Sequence, residues 1–379
     1  MTYKEIIQSL KNTIKARMER FRGMNSNLRD YKIEEKKKHS RKSADSTKKS
    51  DSPCQKSDDC CGKKDRCKKT IRINQRLMDV GRVVVPLGWN AVLEENVTAN
   101  GNLHFYEGGQ AIAAVGQNDI NLCCHKLIGI NVPFGIFAGV VGTEVANDIT
   151  IHGGSVEGFT ETGIFGGFCN RFNLSDTFIN DIVATTNNSQ GVVFGLELVG
   201  CSGTISNVIV NRVRAANLET TVVAAIGVEL VNSEMVVNNL AADNIFSDSS
   251  FAMSCVGVGF DATTPGPTFR NFAARNATGL IGAFGLVIDS PADNRLYRPL
   301  ATSLAISDIK ATNLANPAPA RGLSIVGAVF ATVSGNIKGV QSTARLLEAE
   351  SEEGQGFNIG NTIGGLQTAV SDVQTQWLA

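Results

Sequence analysis

This 379-residue chain is poor in the residues that build helices and aromatic cores. Charged residues make up only 19% of it and aromatic residues 6%, with 2 Trp and 4 His. Beyond residue 76, Lys and Glu are scarce, while Val, Ile, Ala, Asn, Thr and Gly are frequent, which favours strands and turns. The lack of sustained helical periodicity argues against alternating strands and crossover helices. The scarcity of Asn-Gly turns argues against tight hairpins.

The chain also lacks a recognisable secretory leader and a membrane span. Its first twenty residues carry charges where the apolar core of a leader would lie. The apolar stretch 127–143, LIGINVPFGIFAGVVGT, contains Asn, Pro and four Gly, and it is shorter than the ~20 residues of a transmembrane helix. We therefore expect no transmembrane segment, and the nine cysteines are expected to be free thiols.

Positive charge is concentrated at the N-terminus. Residues 1–76 contain 23 Lys and Arg against 10 Asp and Glu, whereas residues 77–379 contain 13 against 26. Residues 29–70 are rich in Lys, Ser and Asp and have too few apolar side chains to form a core. The split predicts a basic tail, with a disordered linker at 29–70, attached to a folded body.

Residues 1–28 are predicted to form an amphipathic basic helix. A heptad seam with one charged mismatch runs through Ile7, Leu10, Ile14, Arg17, Phe21, Met24 and Leu28. The seam allows three interpretations: a helix that packs on another surface, an oligomerisation coil giving a homotrimer, or a helix that binds an anionic membrane surface.

Four cysteines near the end of the linker have the spacing C-x5-C-C-x5-C: Cys54, Cys60, Cys61 and Cys67. Zinc sites use closer pairs, so this spacing fits zinc poorly. A small disulfide knot and a flexible redox or cross-linking segment are the alternatives.

A short unit recurs along the body: glycine, an apolar residue, any residue, then an apolar or small residue. Successive copies are 28 to 37 residues apart. They begin at Gly135, Gly163, Gly195, Gly227, Gly257, Gly285, Gly322 and Gly356. A second unit, apolar–any–Ala–any–Asn, ends at Asn217, Asn244, Asn276 and Asn313.

Repeats of this kind predict a solenoid of short parallel strands. Each repeat carries period-two alternation, as in ISNVIV, interrupted by turn-forming residues. Each strand then pairs with its counterpart one turn later, about 4.8 Å away, so that Leu196 and Val228 become neighbours. The recurring Asn is expected to form a structural column at a bend, because Asn tolerates left-handed backbone and stacked amides hydrogen-bond to each other.

With these repeats, the sequence resembles the right-handed parallel β-helix, or pectin-lyase-like, superfamily. The resemblance implies an all-β solenoid over residues 71–365, and residues 366–379 are expected to form a C-terminal capping helix through Leu366, Val370, Val373 and Trp377. The superfamily includes polysaccharide lyases and hydrolases, phage tailspikes and virion proteins. The basic tail is most similar to the virion-associated members. The motifs of the family's polygalacturonases are absent from the body, so the resemblance transfers no catalytic residue.

The repeats align two carboxylates, Glu197 and Glu229, at the second position after their glycines. On adjacent turns they would raise each other's proton affinity, and a separation of about 5 Å suits retaining glycoside hydrolysis. The alternative is a pair of exposed strand carboxylates with Gly259 and Val287 as the next residues in the column. Cys169 and Cys201 align similarly, with Ser233 next, as stacked thiols or as a disulfide across one turn.

These observations favour a structural or surface protein tethered by its basic tail to a larger assembly, such as a virion. The alternative is a polysaccharide hydrolase or lyase, or a glycan-binding protein, with Glu197 and Glu229 in the site. A third reading is nucleic-acid packaging through the tail, and an acidic partner is equally compatible with it. No cofactor and no metal site are predicted. The sequence leaves the compartment open, with a virion and the host cytoplasm as candidates.

Overall fold

The computed structural model describes residues 69–139, 146–184, 191–215, 224–248, 251–259, 265–289, 299–312, 320–326, 332–338, 347–350, 366–368 and 376–378. The predicted helix 1–28, the linker cysteines and most of the linker lie outside these residues. The solenoid begins at the end of the predicted linker, because strand β1 starts at Thr70 and Lys69 stacks over the Trp89 ring, 5.1 Å from its centroid.

The described strands form two parallel sheets, as the all-β prediction requires. In sheet A the hydrogen-bonded order is β1 (Thr70–Ile73), β3 (Asn90–Leu93), β6 (Asp119–Asn121), β9 (Ala146–Glu157), β11 (Cys169–Val183), β13 (Ser202–Ala215), β15 (Glu234–Ser247), β17 (Thr268–Gly279), β19 (Leu300–Ala311), β21 (Thr332–Lys338) and β23 (Leu366–Thr368). Strand β4 (Val97–Asn100) joins this sheet through β7 (Lys126–Ile130), which pairs with β9.

Sheet B is built from the alternate strands of the chain. Its order is β2 (Val83–Val85), β5 (Gln110–Ala114), β8 (Phe134–Gly139), β10 (Thr162–Gly167), β12 (Val192–Val199), β14 (Ala224–Val231), β16 (Phe251–Val258), β18 (Gly282–Asp289), β20 (Ala320–Val326), β22 (Leu347–Glu350) and β24 (Gln376–Leu378). The described helices are short and lie near the first strands: α1 (Gln75–Met78) and a 3-10 turn at Glu107–Gly109.

The predicted winding of the chain is confirmed. Leu196 pairs with Val228 between β12 and β14, and neighbouring strands of the described part of the chain pair in parallel, one turn with the next. The main core lies between the two sheets and is built from inward side chains such as Phe172, Leu196 and Val210. The fold is therefore a parallel β-helix whose vertical neighbours are about thirty residues apart in sequence.

Two columns of left-handed residues bend the long strands of sheet A. One contains Asp176, Asn207, Asn239, Asn271 and Ser303, and the other contains Asp181, Arg212, Asn244, Asn276 and Asp308, with φ between 50° and 58° throughout. Each bend inserts one extra outward residue. In β13 the buried positions Ile205, Val208, Val210, Val213 and Ala215 therefore follow intervals of three, two, three and two.

The Asn side chains in both columns form ladders. Asn271 donates to Asn239, and Asn239 to Asn207, each at 3.0 Å. In the second column Asn276 donates to Asn244 at 3.2 Å, and Asn244 donates to the adjacent Asn211 at 2.7 Å. Left-handed backbone is costly for most residues with a side chain, and the amide–amide bonds offset part of that cost.

The predicted Asn column is thus confirmed at Asn244 and Asn276, but its phase elsewhere needs correction. Asn217 and Asn313 lie outside the described residues. Val213 pairs with Ile245 rather than with Leu240, and Ile309 pairs with Ala277 rather than with Phe272. In those two turns the apolar–any–Ala–any–Asn unit therefore lies five residues further along the strand than in the other two turns. Arg212 and Asp308 occupy the bend positions there.

Asn239 is a direct test of the ladders because it both donates and accepts. Asn239→Ala loses the two amide bonds and keeps the left-handed strain, so we expect a loss of about 2 kcal/mol in the free energy of unfolding. Asn239→Gly also loses the bonds but removes the strain, so its loss is expected to be about half as large. Chemical denaturation of both variants measures the difference, and equal losses would contradict a left-handed position here.

The recurring glycines form a column on sheet B, facing the core. A Cβ at Gly195 would lie 2.6 Å from the carbonyl oxygen of Gly227, and one at Gly227 would lie 2.6 Å from that of Ser254. The same contact joins Gly135 to Gly163, Gly163 to Gly195, and Gly285 to Gly322. Glycine therefore recurs because each turn packs directly against the backbone of the next.

One of the predicted copies does not belong to this column. Gly257 pairs with Leu230, three residues beyond the column position, which Ser254 occupies. The predicted copy at Gly356 lies outside the described residues. Two turns of unequal length separate Gly227 from Gly285, and they meet at Ser254. A four-residue sequence pattern is too short to detect this difference in length.

The predicted C-terminal helix is wrong at its described positions. Leu366–Thr368 is a strand that pairs with β21, and Gln376–Leu378 is a strand that pairs with β22. The last turn of a solenoid presents unpaired backbone N–H and C=O groups, and pairing with them satisfies this segment better than an isolated amphipathic helix of three turns. Residues 369–375 lie outside the described residues.

Candidate functional site on the outer face of sheet B

Sheet B is buried on both of its faces. Every residue of β12, β14, β16 and β18 is buried, although only alternate residues reach the core between the sheets. The opposite face, here called the outer face, carries a separate apolar cluster over six consecutive strands. Its members are Phe134, Phe137, Phe165, Val192, Phe194, Val199, Ala224, Ile226, Val231, Phe251, Met253, Val256, Val258, Phe284 and Val287.

The two candidate carboxylates lie in the middle of this outer face. Glu197 pairs with Glu229 in register, so the predicted adjacency is confirmed at about one strand spacing. The column continues to Phe165 on one side and to Val256 on the other. Val256 therefore takes the place predicted for Gly259, because the repeat at Gly257 is out of phase.

The alternative that these two carboxylates are exposed on the strand is wrong. Glu197 is 1% exposed and Glu229 is 0% exposed. The Thr162 hydroxyl donates to Glu197 Oε2 at 3.4 Å, and Thr162 is itself fully buried. Strand alternation placed both side chains on the outer face correctly, but it carries no information on whether that face meets solvent.

The arrangement constrains what the pair does chemically. Two carboxylates one strand apart have the spacing of a retaining glycosidase, but a polysaccharide must reach both of them. Their burial under an apolar face leaves no approach for a polymer in this conformation. Buried carboxylates require a cation, a proton or hydrogen-bond donors to offset the loss of hydration.

Cys169 and Cys201 are neighbours on adjacent turns, and they are free thiols rather than a disulfide. Cys169 and Cys201 are buried and reduced, the Cys169 amide donates to Cys201 Sγ at 3.5 Å, and the Cys201 amide donates to Ser233 Oγ at 3.1 Å. The hydrogen bond with Cys201 and the burial both raise the pKa of the Cys169 thiol. Burial, with Glu229 nearby, likewise raises the pKa of Cys255. These protonated thiols are poor nucleophiles.

His152 lies within β9, and its Nε2 is 2.9 Å from Asp119 Oδ1 on β6. Among the described residues, no group of three or more His, Cys, Asp or Glu side chains has the geometry to hold a metal ion. No helix in the described part of the chain is long and apolar enough to cross a membrane.

Asp243 provides a pH-dependent test of the polar face of sheet A. It is half-buried on β15, opposite Arg275, and burial raises its pKa more than Arg275 lowers it. The ionised side chain therefore costs stability at neutral pH, and this cost disappears as the pH falls through the pKa of the unfolded chain.

We expect Asp243→Asn to raise the free energy of unfolding at pH 7 by less than about 1 kcal/mol, since solvent screens a half-buried group. At pH 3 the gain should vanish. Urea denaturation at both pH values measures it, with Glu234→Gln, an exposed change on the same strand, as the control. A gain that persists unchanged at pH 3 would show that the carboxylate charge is not its source.

A pocket of about 320 Å³ lies near the N-terminal turns and was not predicted from the sequence. Leu103, His104, Phe105 and Asn131 are among its lining residues, and the Phe105 side chain is 82% exposed. The pocket is shallow, and its titratable side chains are His104 and Tyr106. The Tyr106 hydroxyl donates to the Met78 carbonyl oxygen at 2.9 Å, so the two side chains do not form a catalytic constellation.

Comparison of the chain with models of protein families, with curated proteins and with solved structures finds no match. The fold alone therefore defines the class of protein. It is a parallel β-solenoid with two long sheets and a second apolar cluster on the outer face of sheet B.

Proposed function

We propose that this protein is a structural β-solenoid, a rod tethered to a larger assembly by its basic N-terminal tail. The observation that supports this most directly is the continuous parallel pairing of the two sheets from β1 to β24. In the order of each sheet, every strand except the first and the last is hydrogen-bonded on both sides, and stiffness along the stacking direction follows from this. A virus particle is one assembly that suits such a rod.

The charge distribution supports the tether. Residues 1–76 carry most of the positive charge and the rest of the chain is net acidic. On sheet A two arginines are paired with carboxylates, as Arg171–Asp148 and Arg212–Asp181, and the body as a whole is net acidic, so the rod itself has little attraction for an acidic partner. The tail is therefore the segment through which an acidic partner would be held.

The test uses the full-length chain and an immobilised acidic polypeptide, polyglutamate. Neutralising two tail cations with Lys36→Gln and Lys37→Gln is expected to weaken binding about threefold to fivefold at low salt. Neutralising Arg270 and Lys310, two exposed cations of sheet A, serves as the matched control and is expected to change little. Equal losses in both variants would contradict a tether in the tail.

Two further arms separate the alternatives. Preferential binding to duplex DNA that collapses between about 50 and 200 mM salt would favour nucleic-acid packaging. Polysaccharide turnover that disappears in a Glu197→Gln/Glu229→Gln variant would replace the structural proposal with a glycan-processing one.

A further inference from the structure

We propose that the outer face of sheet B is the docking surface for residues 1–28 of the same chain, with Arg17 placed against the Glu197–Glu229 pair. This inference does not depend on the proposed function. It concerns what covers an apolar sheet face and why two acids lie within it.

The outer face is too large and too apolar to be a solvent-facing surface. Its apolar cluster extends over six consecutive strands, from Phe134 on β8 to Val287 on β18. Its members are no more than 3% exposed within a single copy of the chain. Exposed apolar patches of this extent mark docking surfaces, and burial within one copy requires the cover to come from the same chain.

Two of the segments between the described strands, residues 185–190 and 290–298, are poor candidates for this cover. Residues 185–190, TTNNSQ, contain no apolar side chain, and residues 290–298, SPADNRLYR, contain four charged or amide residues. Residues 1–28 are different, because six apolar side chains lie on one face of the predicted helix. A seam of this kind needs an apolar partner, since three heptads are marginally stable alone.

The charges of the two surfaces are complementary in position as well as in sign. The central column of the outer face reads Phe137, Phe165, Glu197, Glu229, Val256 and Val287, with the two acids in the middle. The helical seam reads Ile7, Leu10, Ile14, Arg17, Phe21, Met24 and Leu28, with its one cation in the middle. Each apolar row is thus interrupted at its centre by charge, which is negative on the sheet and positive on the helix.

The dimensions agree. The column spans about 24 Å at about 4.8 Å per strand, so the acids lie about 12 Å from either end. At about 1.5 Å per residue, Arg17 lies about 15 Å from Ile7 and about 16 Å from Leu28. A helix aligned with the stacking direction therefore covers the whole column when Arg17 is opposite the two acids.

The linker is long enough to allow this position. Residues 29–68 join the helix to Lys69, where the solenoid begins. A flexible chain of that length has a typical end-to-end distance of about 35 Å, comparable with the span of the sheet. The guanidinium of Arg17 presents a planar fork of donors that suits two carboxylates better than a lysine would. The buried pair then fixes where along the face the helix docks.

The experiment is hydrogen–deuterium exchange of the full-length protein, with Arg17→Glu as the disrupting change. In the wild type, we expect peptides from residues 1–28 to be protected. In Arg17→Glu, which places a third acid against the pair, protection of residues 1–28 should fall at least tenfold and β12 and β14 should exchange faster. Arg22→Glu makes the same charge change at a position off the seam and should leave protection unchanged. Peptides from sheet A report whether each variant is folded.

A charge reversal provides the second test. Combining Arg17→Glu with Glu229→Arg restores an opposite-charge pair and should recover part of the protection. Three results would overturn the proposal: wild-type residues 1–28 exchange at unprotected rates, Arg17→Glu and Arg22→Glu behave alike, or light scattering shows a homotrimer whose protection of residues 1–28 is lost on dilution. The last result would assign the seam to other copies of the chain, as the coiled-coil reading of the sequence predicts.

Discussion

Gly195→Ala is expected to destabilise the solenoid by about 3 kcal/mol or more. A Cβ there would contact Val210 Cγ1 and would lie 2.6 Å from the Gly227 carbonyl oxygen. The clash with the valine side chain can be relieved by a change of rotamer, but the contact with Gly227 is with the backbone of the next turn. Relief requires two turns to separate, which weakens the strand pairing on either side.

The same column contains its own control. Ser254 occupies the equivalent position one turn beyond Gly227, so a Cβ is already accommodated there. Its hydroxyl is buried without a hydrogen-bond partner, so Ser254→Ala is expected to be neutral or slightly stabilising. The free energies of unfolding of the two variants, from urea titration, make the comparison. If Gly195→Ala also proves neutral, direct packing between turns does not explain the recurring glycine.

Phe172→Ala is the second change with a large expected effect, a loss of 3–5 kcal/mol in the free energy of unfolding. Phe172 lies on β11 with no exposed surface and is among the largest fully buried side chains described. Its ring packs close to the position of Gly166 on sheet B. Truncation leaves a cavity between two hydrogen-bonded sheets, and such sheets close inward only at the expense of their pairing.

Phe178 on the same strand is the matched control. It is 36% exposed on the outside of sheet A, and Phe178→Ala is expected to cost less than about 1 kcal/mol. The two residues are six positions apart, so simple period-two alternation would place them on the same face. They lie on opposite faces because Asp176 is left-handed and shifts the alternation by one residue. Equal losses in thermal and urea denaturation would contradict this bend.

The architecture could be predicted because vertical neighbours recur at a nearly constant interval. Glu197 and Glu229 are 32 residues apart, and Asn244 and Asn276 have the same separation, so each pair was aligned correctly. The alignment failed where turn lengths vary, at Gly257. Asn207, Asn239 and Asn271 also recur every 32 residues and were missed, although this interval and the broken alternation around each Asn signal a bend.

The C-terminal segment shows a different limit. The spacing of Leu366, Val370, Val373 and Trp377 suits an amphipathic helix, but Leu366–Thr368 and Gln376–Leu378 are strands. Local periodicity describes only the segment itself. The open edges of β21 and β22 are features of the neighbouring turns, and they favour strand pairing over the helix.

The amino-acid sequence by itself determined that the chain winds into stacked parallel strands, because apolar side chains recur at intervals that only stacking can bury. It also determined which side chains share a column wherever successive turns have equal length. Only the tertiary structure decided where the strands bend, which turns are uneven, and that Glu197 and Glu229 are buried. The physical reason is that alternation along a strand fixes which face a side chain occupies, whereas burial depends on what packs against that face from a distant part of the chain.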